Sequence, residues 1–314
     1  MRQRRSEYDV TDSVRTTDTA AVAAEVRRIY LDLYRKAEAA TLDHAFADFA
    51  ALYAGEHPEY CACDTAYHDV QHVLEVTLAM ARLLDGCQRA GREPLDERRF
   101  RLGVILALYH DCGYIRHRKD TRHQNGAEYT LVRVARGARY LRAYLPKIGM
   151  ADLAPVAARV LHYTGYETAV GNIGVPQPVF AVIGNLLGTA DVLAPMADRC
   201  YLEKCYDRLY PEFVVGGIAR RRTRGGEKVE FASATALIAR TPIFYENAAH
   251  RLDALLACVY RYAESHFGGH NYYLEAVEQN ISYARKVGAR GDISQLRRQP
   301  PRQADAQPPQ LQLI

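Results

Sequence analysis

Stretches in which apolar and polar residues alternate between turn signals are almost absent from this 314-residue chain, which argues against a sheet-based fold. Also missing is an apolar run of the roughly 20 residues that a membrane span requires. The most apolar segment, VFAVIGNLLGTADVLA from Val179, is interrupted by Asn185 and Asp191, so no membrane association is expected. The opening MRQRRSEYDVTDSVRTTDT lacks the apolar core of a secretory leader. Neither sign of charge dominates. With 41 basic and 37 acidic residues the net is +4, too small and too dispersed to indicate a nucleic-acid partner. Nor are the basic residues interleaved with aromatics, as stacking platforms require. The seven cysteines are odd in number and follow no small-scaffold spacing, which fits reduced thiols in a cytoplasmic protein. Cys61 and Cys63 form a C-x-C pair near His57, but a second pair at usable spacing is lacking, and they read as ordinary thiols. No internal repeat is visible.

What is present is helical. The chain is 48% hydrophobic, enough for a sizeable core. Val26, Ile29, Tyr30 and Leu33 fall at helical spacing in an Ala-rich run, and Val73, Val76, Met80 and Leu83 do so in HVLEVTLAMARLL. FRLGVILALYHD is apolar nearly all round, the mark of a buried central helix, with Gly113 placed as its stop. Further helices are expected near 125–144, 151–163, 177–193, 196–210, 233–263 and 270–286. The fold class is therefore all-α: a single helical domain over 20–290, between a disordered basic lead-in at 1–19 and a disordered Pro/Gln-rich tail at 291–314. The segment VVGGIARRRTRGGEKVEF, with paired glycines and five basic residues, reads as an exposed loop or short hairpin inserted between helices.

Imidazoles and carboxylates occur where composition does not explain them. His68 and His72 lie four apart, on one helix face beside an apolar stripe. His110 and Asp111 end an almost wholly apolar helix, where an ionised carboxylate is costly without a compensating partner. Asp191 interrupts another apolar helical stretch just before Pro195. His123 and His162 stand in TRHQNGAEY and RVLHYTGYE. Each of these alone has an ordinary structural explanation. Together they make a mixed nitrogen and oxygen set suited to Zn, Mn, Fe or Mg, and facing helices are where bundles build internal metal sites.

With these residues in order, the chain resembles the HD-domain superfamily of metal-dependent phosphohydrolases, with His72, His110, Asp111 and Asp191 as the matching His, His-Asp and later Asp. Locally it resembles class I cyclic nucleotide phosphodiesterases: YHDVQHVLEV is similar to their Tyr-His-Asn-x-x-His opening, LALYHDCGY to their His-Asp helix, and TADVLAPMADRCYLEKCYDRLYPEF to the segment of their last metal Asp. The resemblance spans roughly residues 60–215. It departs after HDCGY, where the phosphodiesterase His-x-Gly-x-x-Asn continuation is missing, and no counterpart of the purine-binding glutamine is found.

The resemblance implies an HD-type, phosphodiesterase-like helical bundle with one or two divalent ions, bridged by Asp111 and completed by His72, His110 and Asp191. His123 and His162 resemble the extra histidines of binuclear members. His68 would be the general acid, Asp111 its partner in the catalytic set through the metal, and the substrate a small phosphorylated, nucleotide-like monoester or diester. Arg116, Arg118, Lys119 and Arg122, which follow the His-Asp pair, are candidates to receive phosphate oxygens, or else form a solvated basic loop. Two other readings remain at this point: an oxygen-activating di-iron centre, or a non-catalytic scaffold that binds a nucleotide or a partner.

Overall fold

Local signals set several helix ends. Asp18, Asp69 and Asp96 each precede an apolar-periodic run, and each carboxylate accepts backbone N–H groups of the first turn that follows. Gly55 and Gly91, both in the left-handed region, terminate the second and third helices. The computed structural model describes residues 4–91, 95–223, 226–290 and 293–302.

The elements in order begin with α1 (Thr19–Leu33), α2 (Ala40–Ala54), α3 (Val70–Ala90) and α4 (Glu97–Leu108). Next come α5 (Arg133–Tyr144), the short α6 (Ala154–Val160) and α7 (Pro178–Ala197). α8 (Tyr201–Lys204) passes through a π turn into α9 (Tyr210–Val215). A hairpin of β1 (Arg220–Thr223) and β2 (Gly226–Val229) follows, paired antiparallel. α10 (Ala234–His250), α11 (Tyr262–Phe267) and α12 (Tyr272–Arg290) complete the bundle. This is an all-α bundle, as the missing alternation implies.

α3 is the axis of the core and packs against α1, α4, α7 and α11. Gly86 permits the last of these contacts, since a Cβ there would lie 1.8 Å from the Tyr262 carbonyl oxygen. Contrary to the reading that no apolar run reaches the length of a membrane span, α7 has that length and apolarity, because the helix runs on through Asn185 and Asp191. Yet most of it is buried within the bundle, where it packs against α3 and α12. Its interior position is what carries Asp191 to the centre of the protein.

Three expected elements differ from those observed. The helix expected at 125–144 starts as a 3-10 segment over Gly126–Val132, capped by Asn125 and Glu128, and becomes α only at Arg133. The helix expected at 196–210 begins at Tyr201, after Pro195 and the turn at Asp198 have ended α7. The one expected at 233–263 breaks after a π turn, because Ala257 and Cys258 both take positive φ. Gly113 does not stop α4, which ends at Leu108. The basic segment does form a short hairpin, with Arg224 outside the described residues.

The reading of both ends as disordered is corrected over the described residues. Asp9 is buried and receives a 2.6 Å hydrogen bond from Arg82 of α3, itself only 2% exposed. An ion pair so placed needs both partners, because either alone would be an uncompensated buried charge. Composition hides this, since the lead-in contributes its charge rather than apolar bulk. At the other end, Arg298 donates to Asn280 Oδ1 at 2.7 Å and to the Arg199 carbonyl, which ties residues 293–302 to the bundle. Residues 1–3 and 303–314 lie outside the described residues.

Candidate metal centre

Four residues from three parts of the chain converge on one buried point. His72 stands in the first turn of α3, its backbone N–H held by Asp69 at 2.9 Å. His110 and Asp111 follow α4 directly, and Asp191 projects from α7. His72 is 5% exposed, His110 0% and Asp111 1%.

The donor atoms face one another closely. His110 Nε2 is 3.1 Å from Asp111 Oδ2, 3.2 Å from Asp191 Oδ1 and 3.3 Å from His72 Nε2. His72 Nε2 is 3.3 Å from Asp111 Oδ2 and 3.7 Å from Asp191 Oδ1. Bonds of about 2.1 Å to one ion put neighbouring ligand atoms about 3.0 Å apart in an octahedron and about 3.4 Å apart in a tetrahedron. The His–His and His–carboxylate distances lie close to these spacings, tightest among His72, His110 and Asp111.

The second ring nitrogen of His110 lies 2.7 Å from the Ala107 carbonyl oxygen. A carbonyl can only accept, so Nδ1 carries the proton and Nε2 can aim a lone pair into the cluster. Burial by itself lowers the basicity of both imidazoles. It prevails at His72, whereas at His110 the charges of Asp111 and Asp191 outweigh it and push the group up to about 10. Burial would raise the two acids, but His110 and Arg133 hold Asp111 well below the usual carboxylate range, and His110 holds Asp191 below it. Without a metal, the pair of carboxylates is thus partly balanced by a proton on His110. A divalent cation would neutralise the pair and displace that proton. The residues fit a metal ion, and their nitrogen and oxygen donors leave Zn, Mn, Fe and Mg all admissible.

His68 lies at the rim. Its Nδ1 is 2.6 Å from Glu212 Oε2, and its ring stacks on Tyr114 with centroids 4.5 Å apart. The other oxygen of Glu212 accepts from the backbone N–H groups of Tyr67 and His68, so α9 fixes both the loop and the imidazole. Burial lowers the His68 pKa, but the Glu212 carboxylate more than offsets it, and the group stays above its ordinary value.

The other expected residues are placed elsewhere. His123 pairs with Asp120 at 2.9 Å, and His162 with Glu167 at 2.8 Å; the structure brings neither into the four-residue cluster. Arg116 is bound to Asp64 at 2.7 Å, Arg118 reaches the Gly55 and His57 carbonyls, and Lys119 and Arg122 are exposed.

Sequence reasoning missed Glu212, Tyr114 and Arg133. The guanidinium of Arg133 is the cation found beside the cluster, with Nε 3.8 Å from Asp111 Oδ1. A cation at the first position of a helix opposes the helix dipole. That signal becomes readable only once α5 is seen to begin there.

Fold and centre together define an all-α, phosphodiesterase-like bundle with a candidate His-His-Asp-Asp metal site. Among solved structures the chain is similar to the phosphodiesterase domain of the RhoPDE fusion protein from the choanoflagellate Salpingoeca rosetta, with a TM-score of 0.52 and 14% identity over 91% of this chain and 96% of that one. No protein-family model and no curated protein matches the chain.

Proposed function

We propose that this protein is an HD-type, metal-dependent phosphohydrolase that cleaves a phosphomonoester or phosphodiester of a small, nucleotide-like metabolite. The observation that carries this reading is the cluster itself: the Nε2 atoms of His72 and His110 stand 3.3 Å apart, and each lies 3.1 to 3.7 Å from a carboxylate oxygen of Asp111 and of Asp191. His72, His110, Asp111 and Asp191 hold the ion. A divalent ion supplies Lewis acidity there, activating water for attack at phosphorus and drawing charge from a phosphoryl oxygen.

The chain's own residues do the rest. Glu212 accepts a hydrogen bond from His68 Nδ1 and favours the imidazolium, holding its pKa above the ordinary value. Stacking on Tyr114 fixes the ring plane, so Nε2 is the atom from which a proton passes to the departing oxygen. A general acid of this kind contributes roughly 10²–10⁴-fold. The di-iron alternative has less support, because the extra imidazoles it calls on, His123 and His162, do not join the close donor group of His72, His110 and Asp111 among the described residues.

The test is metal content of protein purified without added metal, beside hydrolysis of a chromogenic phosphodiester, for wild type and Asp111→Ala. Bound divalent ion and turnover in wild type, both lost in the variant, are expected. Wild type that takes up no divalent ion even after reconstitution would sink the proposal.

A further inference from the structure

Asp111 turns its two oxygens to different neighbours. Oδ2 belongs to the four-residue cluster. Oδ1 points to Arg133, whose Nε is 3.8 Å away. That separation is too long for a hydrogen bond, and Oδ1 is buried without a partner. Arg133 matches it, because its Nη1 is likewise buried and unpartnered. Two polar groups of opposite charge left unsatisfied at the edge of one cluster are costly unless something completes them.

The position of Arg133 is rigidly tied to Asp111. A Cβ at Gly113 would lie 1.9 Å from the Arg133 carbonyl oxygen, so the start of α5 rests directly on the loop that carries Asp111. One turn on, Arg136 donates to the Gly113 and Ile115 carbonyls at 2.7 and 2.9 Å. The guanidinium is therefore held beside the outer oxygen of Asp111, where a second ion would have to bind.

That place offers a second ion little. Among the described residues, neither His68, held by Glu212, nor His123 nor His162 joins the close donor group of His72, His110 and Asp111. A fixed guanidinium would also repel any cation on Oδ1. Charge is already accounted for: the two carboxylates match one divalent ion, and the charge on Arg133 is left over for an anion.

We propose, on the phosphohydrolase reading above, that the centre takes a single divalent ion and that Arg133 stands in for a second, its guanidinium binding a phosphoryl oxygen of the substrate. The anion-receiving group is then Arg133 of α5 rather than the basic turn after His110–Asp111, and the two-ion arrangement suggested by the resemblance does not apply.

The test uses the full chain. Metal-free protein is titrated with Mn²⁺ or Zn²⁺ and the bound equivalents counted; the loaded protein is then titrated with inorganic phosphate. Wild type should saturate at a single equivalent. Arg133→Gln should bind the ion at least as well, but phosphate roughly ten- to a hundredfold more weakly, the worth of a charged hydrogen bond. Arg133→Lys should restore part of that loss, since it keeps the charge without the fork. Two equivalents in wild type, or unchanged phosphate affinity in Arg133→Gln, would overturn this inference while leaving the phosphohydrolase reading in place. Failure to bind any ion would remove both.

Discussion

Replacing Glu212 by Gln probes the acid role of His68 with a change of one atom type. In the native protein Glu212 Oε1 accepts two backbone N–H groups and Oε2 faces His68 Nδ1 at 2.6 Å. Glutamine has a single oxygen. The backbone donors cannot change role, so that oxygen stays with them, and the amide NH₂ turns to Nδ1, which must then accept. His68 loses its counter-charge and is left with burial, which lowers its pKa. The sign follows directly. A raised pKa keeps the imidazolium populated until pH climbs through it, so in the variant the fall in activity should begin at lower pH. A charged hydrogen bond is worth about 1.5–3 kcal/mol, or roughly 10- to 150-fold in rate, within the range of a general acid. The assay is kcat/KM between about pH 5.5 and 9, where an imidazole titrates, on two diesters that differ only in leaving group. An alkyl leaving group needs the proton; a nitrophenyl group departs without it. A large loss on the first and a small loss on the second is expected. Equal losses on both, with an unmoved pH profile, would refute the role given to His68.

Two further outcomes test the packing around the centre. Gly113→Ala places a methyl group against the Arg133 carbonyl oxygen, 1.9 Å away in the present geometry. Neither backbone segment can yield easily, so a loss of about 3 kcal/mol is expected, visible as a melting temperature lower by several degrees; an unchanged melting temperature would contradict the contact. Glu75 concerns pH. Burial pushes its carboxyl up to about 8 although Lys204 lies 4.0 Å away, because Lys204 is engaged by Asp198 at 2.5 Å. Between the ordinary carboxyl range and about pH 8 the folded state holds more protons than the unfolded one, so this group's contribution falls as pH rises, by up to about 1.4 kcal/mol per unit. Glu75→Gln should therefore gain stability relative to wild type between about pH 5 and 8 in urea titrations; parallel curves would show that Glu75 ionises normally.

The helices around the centre were legible because their periodicity and caps are local. The spacing of Val73, Val76, Met80 and Leu83 announces α3 and the apolar run before His110 announces α4, and the cost of a bare carboxylate in apolar surroundings marks Asp111 and Asp191 before any packing is known. The misread ends teach the reverse. Asp9 looks like part of a polar tail until Arg82, far along the chain in α3, is seen to need it.

By itself, then, the sequence determined an all-α chain with histidines and aspartates set in apolar helices, because helix formation and the burial cost of charge depend on neighbours a few positions away. The resemblance to a family then singled out His72, His110, Asp111 and Asp191 as candidate ligands. Tertiary structure alone decided that Glu212 holds His68, that Arg133 faces Asp111, and that His123 and His162 are paired elsewhere. Those relations depend on how α5 packs on the turn after Asp111 and how α9 meets the loop before α3, and no spacing along the chain encodes which side chains meet across that packing.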